Sequence, residues 1–222
     1  MNQTEKTDAA ASEAENAANI IEQKKACRAR VKAHIKQFLS TDTAQNCGEK
    51  AFNIFSTTEL YKNCRTILLF VSKNPEISTF HFIEAALKDG KKVAVPKCRG
   101  EKMDFFFLRA ETPLAEQLVL GAFDILEPRD DLQKCGFADF GQDCVFIVPG
   151  LAFDPNGRRL GKGKGFYDRF IDELFAFQAE NGLLQMPLVG LCYSIQIEKN
   201  VPCQSFDAKM NYILCENKFF AC

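Results

Sequence analysis

The apolar residues of the chain recur with two different periods, one typical of helices and the other typical of buried strands. We predict an amphipathic helix from Ile20 to Leu39, because apolar side chains recur there at helical spacing. The recurring positions are Ile20, Cys27, Val31, Ile35 and Phe38. Thr66–Val71, which reads TILLFV, is instead a continuous apolar run, as expected of a strand covered on both faces.

Strands and helices alternate through the rest of the chain. Further helices are predicted over Ala51–Tyr61, Phe80–Leu87 and Tyr167–Ala179. Further strands, the first of them stopped by Pro96, are predicted over Lys92–Val95, Asp104–Leu108, Val145–Val148, Leu188–Cys192 and Tyr212–Cys215. This alternation indicates an α/β fold with a mostly parallel sheet and helices on both of its faces.

The sheet predicts where a ligand would bind. Open parallel sheets bind ligands beyond the carboxyl ends of their strands. The loops that follow Val71, Val148 and Cys192 should therefore share one rim.

The N-terminal segment differs from the rest of the chain. Residues 1–19 are polar and hold almost no apolar side chains, so we predict a mobile tail that precedes a single domain over residues 20–222.

Composition and charge limit the classes of partner. The net charge is -1, with 28 basic and 29 acidic side chains, which argues against binding to nucleic acid or to a membrane surface. The ten cysteines are scattered without a CxxC pair or zinc-site spacing, and no secretory signal opens the chain. We expect a cytoplasmic protein with reduced thiols, no membrane or nucleic-acid partner, and a monomeric state.

The most distinctive segment is a glycine-rich loop, GRRLGKGKGFYD, over residues 157–168. Residues 157–169 carry five cations and one anion, a local charge of 5 − 1 = +4. Glycines at every second position (161, 163 and 165) let a polyanion approach the backbone N–H groups, and they permit positive φ. The helix predicted to start near Tyr167 adds its N-terminal dipole. The segment therefore predicts a polyphosphate site.

The loop does not follow the common phosphate-binding patterns. The spacing GxxxxGK[ST] is absent, and Phe166 occupies the third glycine position of GxGxxG. A flexible basic surface loop is the alternative reading of the same residues. The buried strand before the loop and the Tyr167-Asp168 pair that follows it favour a binding site.

The segment Val148–Phe170, VPGLAFDPNGRRLGKGKGFYDRF, closely resembles the signature of the 5-formyltetrahydrofolate cyclo-ligase family. Weaker similarity covers most of the chain after residue 19. It includes Lys24 and Arg28, Pro75-Glu76, Met103–Phe105, Glu127-Pro128, Gln196 and Val201–Asp207. The resemblance implies a three-layer α/β/α sandwich like ribose-5-phosphate isomerase and the CoA-transferases.

The resemblance also implies an activity. Members of the family convert 5-formyltetrahydrofolate to 5,10-methenyltetrahydrofolate with ATP and Mg²⁺. ATP is expected to phosphorylate the formyl oxygen, after which N10 closes the ring and phosphate leaves. The protein would then act by positioning two ligands and neutralising charge.

The same resemblance assigns residues to these roles. Catalytic roles fall on Arg159, Lys164 and Tyr167. ATP would be held by Lys24, Arg28, Arg159, Gly161, Lys162, Gly163, Lys164, Gly165, Phe166 and Tyr167. Substrate would contact Val71, Glu76, Lys162, Gly163, Lys164, Gly165 and Phe166, with Glu76 accepting pterin N–H groups. Asp168 and Asp207 would bind Mg²⁺.

Several of these residues have simpler alternatives. Lys24 and Arg28 could belong to a solvated cationic ridge with Lys32 and Lys36, and Phe166 could be a core residue. Asp168 could serve only the helix dipole, and Asp207 could be a turn residue. The chain departs from the family pattern at Lys162, Phe166, Phe206 and Asn211. A non-catalytic protein that binds reduced folate or nucleotide, or a different phosphoryl-transfer enzyme, is therefore an alternative function.

Overall fold

The computed structural model describes residues 3–121, 124–204 and 206–222, with side chains from residue 18 onward. Its helices are α1 Gln3–Phe38, α2 Cys47–Ser56, α3 Glu59–Asn63, α4 Phe80–Lys88, α5 Leu114–Gln117 and α6 Phe166–Glu180. Its first strands are β1 Thr66–Leu69, β2 Lys92–Arg99, β3 Lys102–Phe107, β4 Leu118–Leu120, β5 Leu126–Pro128 and β6 Cys144–Pro149. The remaining strands are β7 Ala152–Phe153, β8 Arg159–Leu160, β9 Leu188–Leu191, β10 Tyr212–Cys215 and β11 Lys218–Ala221.

Seven strands form the central sheet in the order β11-β10-β9-β6-β1-β2-β3. The five inner strands are parallel, and each edge strand pairs antiparallel with its neighbour. Every residue of β1, β6 and β9 is buried, which explains their continuous apolar sequences. The predicted α/β fold with a mostly parallel sheet is confirmed.

Helices cover both faces of the sheet and give three layers. On one face, α2, α3 and α4 pack with Ile67, Leu69 and Ile147. On the other face, α6 packs with Leu68 and Phe146 and with a group of aromatic side chains from neighbouring segments. Successive residues of one strand thus serve opposite layers, as the alternation of side chains along a strand requires. The predicted kinship with ribose-5-phosphate isomerase and the CoA-transferases stays a prediction.

Helix α1 begins at Gln3, well before the predicted start at Ile20. The sequence before Ile20 is rich in Ala and Glu, which have high helix propensity even without an apolar face. Residues 1–2 and the side chains of residues 1–17 lie outside the described part. The expected mobility of residues 1–19 and the single domain over 20–222 stay predictions.

The prediction that Pro96 ends its strand is wrong, because β2 continues to Arg99. Pairing with β1 stops at Ala94, so at Pro96 the strand pairs only with β3, at Phe105. A proline has no N–H to donate, and one side of β2 needs no donor at that point. The sequence patterns also missed two short hairpins, β4–β5 and β7–β8, and the antiparallel edge strand β11.

Within the part of the chain that the structure describes, no helix combines the length and the apolarity needed to cross a membrane.

Candidate ligand-binding site

A cavity of about 850 Å³ opens at the carboxyl ends of the parallel strands. Phe70 and Val71 follow β1 into its wall, and Pro149 and Gly150 lie where β6 ends. The glycine loop, residues 157–168, which includes β8 and the start of α6, forms a second wall, and α1 contributes Lys24 and Arg28. This is the position that the topology of an open parallel sheet favours for a ligand.

The three loops predicted to share a rim do contact one another, but they play different parts. Gln196, in the loop after β9, donates from Nε2 to the carbonyl oxygens of Gly150 at 3.0 Å and Leu151 at 2.9 Å. The Tyr193 hydroxyl donates to the Glu76 carbonyl oxygen at 3.3 Å. Among the described residues, those from 192 to 203 do not line the cavity. The loop after β9 therefore supports the other two loops near its start and contributes Gln204, Phe206 and Asp207 to the cavity wall further along.

The glycine loop adopts backbone conformations that side chains disfavour. Gly163 has φ 102° and Gly165 has φ 69°, both in the region that favours glycine. Gly165 is also the N-cap of α6, whose first residue is Phe166. The 15-residue helix therefore directs its N-terminal N–H groups and its positive dipole end towards the loop.

Arg159 is the buried cation of the loop, with 3% of its side chain exposed. One terminal nitrogen donates to the Pro149 carbonyl oxygen at 3.1 Å, and the other donates to Asp168 Oδ1 at 2.5 Å. Its Nε is buried without a hydrogen-bond partner among the described residues. The guanidinium is thus fixed in place with one donor unsatisfied, which a ligand anion could satisfy.

Lys24 and Arg28 of α1 reach the segment near Asp207 and the glycine loop, respectively. Lys24 Nζ lies 2.6 Å from Asp207 Oδ2 and 3.0 Å from Gln204 Oε1. Arg28 Nε donates to the Gly161 carbonyl oxygen at 3.0 Å. Lys24 is buried, so it does not belong to a solvated ridge. These contacts place α1 against the loop, and the assignment of Lys24 and Arg28 to ATP stays a prediction.

Lys162 and Glu76 connect the glycine loop to the loop after β1. Their Nζ and Oε1 atoms are 2.6 Å apart, and Glu76 Oε2 accepts a hydrogen bond from the Lys73 N–H at 2.9 Å. The Lys162 side chain is 51% exposed, whereas that of Glu76 is 16% exposed. The two predicted substrate-binding residues therefore contact each other directly across the cavity.

Tyr167 and Phe166 open helix α6 and line the cavity with the loop. The Arg159 guanidinium lies 5.9 Å from the centre of the Tyr167 ring. Burial, reinforced by the negative charge of Glu76, raises the pKa of the Tyr167 phenol well above its usual value of 10. The hydroxyl therefore stays protonated at neutral pH, so it can donate a hydrogen bond but cannot act as a base.

Among the described residues, no partner is found for one carboxylate oxygen of each of the two predicted metal ligands. Asp168 uses Oδ1 for Arg159, and Asp207 uses Oδ2 for both Lys24 and the Gln204 N–H. Of the described residues, no group of three or more His, Cys, Asp or Glu side chains could enclose a metal ion. One or two carboxylates suit Mg²⁺, which commonly takes its other ligands from phosphates and water. The residues present therefore fit a magnesium ion shared with a phosphate ligand.

All fourteen residues predicted for the site line this one cavity. Further residues of its wall had no assigned role: Cys98, Met103, Glu127, Asp172, Gln204 and Phe206. Glu127 and Met103 stood within segments that resemble the family, but their side chains approach the cavity from separate strands. No local motif joins them, so only the three-dimensional arrangement identifies them as wall residues.

The fold and the site define an α/β protein whose ligand cavity lies at the carboxyl edge of its sheet, with a cationic glycine loop along one wall. Residues 20–216 match the model of the 5-formyltetrahydrofolate cyclo-ligase family. The chain belongs to this enzyme family.

Similar proteins agree with the family match. The Schizosaccharomyces pombe protein named "Probable 5-formyltetrahydrofolate cyclo-ligase" is 34% identical over 165 residues, which cover 71% of this chain and 78% of that protein. The 5-formyltetrahydrofolate cyclo-ligase of Mus musculus is 29% identical over 160 residues, covering 71% and 76%. An NMR structure of Aquifex aeolicus 5,10-methenyltetrahydrofolate synthetase matches with a TM-score of 0.70 at 24% identity, covering 89% and 92%. This last similarity supports the fold.

Proposed function

We propose that the protein converts 5-formyltetrahydrofolate to 5,10-methenyltetrahydrofolate in a reaction that uses ATP and Mg²⁺ and releases ADP and phosphate. The observation that carries the proposal is that the residues assigned to ATP, folate and metal line one cavity. Its volume of about 850 Å³ is in the range of small-molecule sites. A shared cavity is what direct phosphoryl transfer between two ligands requires.

The cationic side of the cavity supports the assignment of ATP. Arg159 is buried and fixed by two hydrogen bonds, so it can oppose charge on a transferring phosphoryl group without reorganising. Lys162 and Lys164 add charge, and the backbone N–H groups of the glycine loop add donors. The protonated hydroxyl of Tyr167 is a further donor beside Arg159. Lys24 and Arg28 extend the positive wall onto α1.

The proposed reaction needs no covalent bond to the protein. ATP would phosphorylate the formyl oxygen; N10 would then attack the formyl carbon, lose its proton, and close the ring as phosphate leaves. Asp168 and Asp207 would hold Mg²⁺, which when bound supplies positive charge to the phosphates. Glu76 would accept hydrogen bonds from N–H groups of the pterin once Lys162 has moved away from it. We further propose that the protein acts as a cytoplasmic monomer.

A turnover assay tests this function. Purified protein is incubated with 5-formyltetrahydrofolate, ATP and Mg²⁺, and the growth of methenyl absorbance is compared with ADP release. One ADP for each methenyl product is the expected result. Folate binding without ADP release would support a non-catalytic binding protein instead. ATP consumption without the methenyl product would support a different phosphoryl-transfer enzyme.

A further inference from the structure

Glu127 is a buried carboxylate in the cavity wall, with 5% of the residue exposed. It lies in the middle of β5, opposite Val119 of β4. One oxygen, Oε1, accepts a hydrogen bond from the Cys98 N–H of β2 at 3.2 Å. An ionised carboxylate has about four acceptor positions, so this single bond leaves most of its capacity unused.

The backbone around Glu127 is shaped to admit its carboxylate. A Cβ atom on Gly121 would come within 2.2 Å of Oε2 and 2.5 Å of Cδ, so a larger residue there would force the Glu127 carboxylate out of its present position. Asp124 of the same hairpin lies 3.4 Å from Lys73 Nζ, which joins the hairpin to the loop that holds Glu76. Glu127 and Glu76 both line this one cavity.

The two carboxylates differ in how their charge is compensated. Glu76 has the Lys162 ammonium at 2.6 Å and the Lys73 N–H at 2.9 Å. Glu127 forms no ion pair with any side chain in the described ranges 18–121, 124–204 and 206–222. A buried charge without a partner is costly, and in a cavity wall a ligand can provide the missing donors.

We propose that Glu127 recognises an edge of the substrate that presents an amino group beside a ring N–H. In a reduced folate, the 2-amino group and N3–H of the pterin form such an edge, and they match the two oxygens of one carboxylate. Glu127 is then a specificity-determining residue, which rests on the proposed function. Glu76 would then contact another part of the pterin ring, and it keeps its ion pair with Lys162 when no folate is bound.

Direct binding measurements with the full chain test this role. Calorimetry without ATP compares 5-formyltetrahydrofolate with its 2-desamino-2-methyl analogue, for the unmodified protein and for Glu127→Gln. The unmodified protein should prefer the amino ligand by about 10- to 100-fold, as expected for hydrogen bonds to a charged group. Glu127→Gln should lose most of that preference by weakening the amino ligand, while the KM for ATP stays within about twofold.

A second variant and a control separate recognition from folding. Glu127→Asp keeps the charge but withdraws it by one methylene, so it should lose the same preference. Glu116→Gln, on an exposed position of α5, should keep it. If the Glu127 variants bound both ligands more weakly by the same factor, or kept the preference unchanged, the proposed role of Glu127 would be wrong. Turnover by the unmodified protein would still support the proposed enzymatic function in that case. Failure of the unmodified protein to bind any reduced folate would overturn both proposals.

Discussion

The two sides of the cavity solve the problem of burying charge in different ways. On the glycine-loop side, which we define as residues 159–168 with Lys24, Arg28 and Asp207, acids and bases are paired within the protein, as in Arg159–Asp168 and Lys24–Asp207. On the carboxylate side, defined as residues 70–76 with Cys98 and Glu127, Glu76 is paired only with the half-exposed Lys162, and Glu127 has no ion pair among the described residues.

The difference indicates which parts of the site are formed before a ligand arrives. The paired guanidinium and carboxylate of the glycine-loop side are held in place by short contacts and burial, so they are preorganised for a charged ligand. On the carboxylate side, a ligand has to displace Lys162 from Glu76 and supply donors to Glu127. We therefore expect substitutions on the glycine-loop side to affect catalysis strongly, and those on the carboxylate side to affect mainly the choice of folate.

Arg159→Lys should produce the largest effect. Lysine keeps the charge, but a single ammonium cannot reproduce the planar fork that reaches Pro149 and Asp168 together. We expect kcat/KM for ATP to fall by about 1,000-fold in steady-state assays. Arg158→Lys is the matched control, because Arg158 contacts Asn200 and does not line the cavity. A similar loss in both variants would mean that the loop acts through folding.

Asp168→Asn should reduce turnover by about 100-fold, because the amide removes the negative charge that a magnesium ion needs. The rate should be measured across a range of Mg²⁺ concentrations. Part of the lost rate should return at high Mg²⁺ if the carboxylate serves the metal. Glu173→Gln, an exposed position of the same helix, should stay fully active. Full activity of Asp168→Asn at every Mg²⁺ concentration would contradict the metal assignment.

Gly163→Ala should raise the KM for ATP by about tenfold, because φ 102° is unfavourable for alanine and the loop must shift to relieve it. Gly182→Ala provides a matched comparison: its φ is 65°, its Cβ would meet open space, and it lies outside the cavity wall. Both variants should lose about 1 kcal/mol of folding stability in denaturant titrations. If Gly182→Ala changed the KM equally, the loop conformation would not be specific to ATP.

Lys162→Met should have the smallest effect. Lys162 lies on the glycine-loop side, and its ion pair with Glu76 joins that side to the carboxylate side. Half-exposed ion pairs contribute little, so we expect about a threefold rise in the KM for ATP and a slight fall in the KM for folate, since Glu76 is then free. A double-mutant cycle with Glu76→Gln measures the coupling between the two residues. A rise in the KM for folate larger than the rise for ATP would show that Lys162 serves mainly the folate.

The sequence predicted the glycine-loop side more completely than the carboxylate side for a physical reason. Residues 159–168 act as one contiguous stretch, and their charge and glycine spacing are visible without a fold. Glu127 depends on Cys98 from β2 and on the space beside Gly121, which come from separated segments. The short strands β4 and β5 also expose Val119, Leu120 and Leu126, so their hydrophobic pattern gives little sign of a hairpin.

The inner strands of the sheet were also predictable from contiguous residues, whereas the end of β2 and the start of α1 were not. Buried parallel strands such as β6 must be continuous apolar runs, which are visible in the sequence. The extent of β2 beyond Pro96 depends on which neighbour pairs at each residue, and the start of α1 at Gln3 depends on helix propensity without an apolar face. The spacing of apolar residues therefore predicts neither the end of β2 nor the start of α1.

A crystal structure of the protein with ADP, Mg²⁺ and 5-formyltetrahydrofolate would show directly whether nucleotide and folate share this cavity. We expect the ADP phosphates to lie against Arg159 and the glycine-loop N–H groups, with the pterin ring against Glu76 and Glu127 in the same cavity. A pterin bound away from both Glu76 and Glu127, or a nucleotide bound outside this cavity, would show that these assignments are wrong.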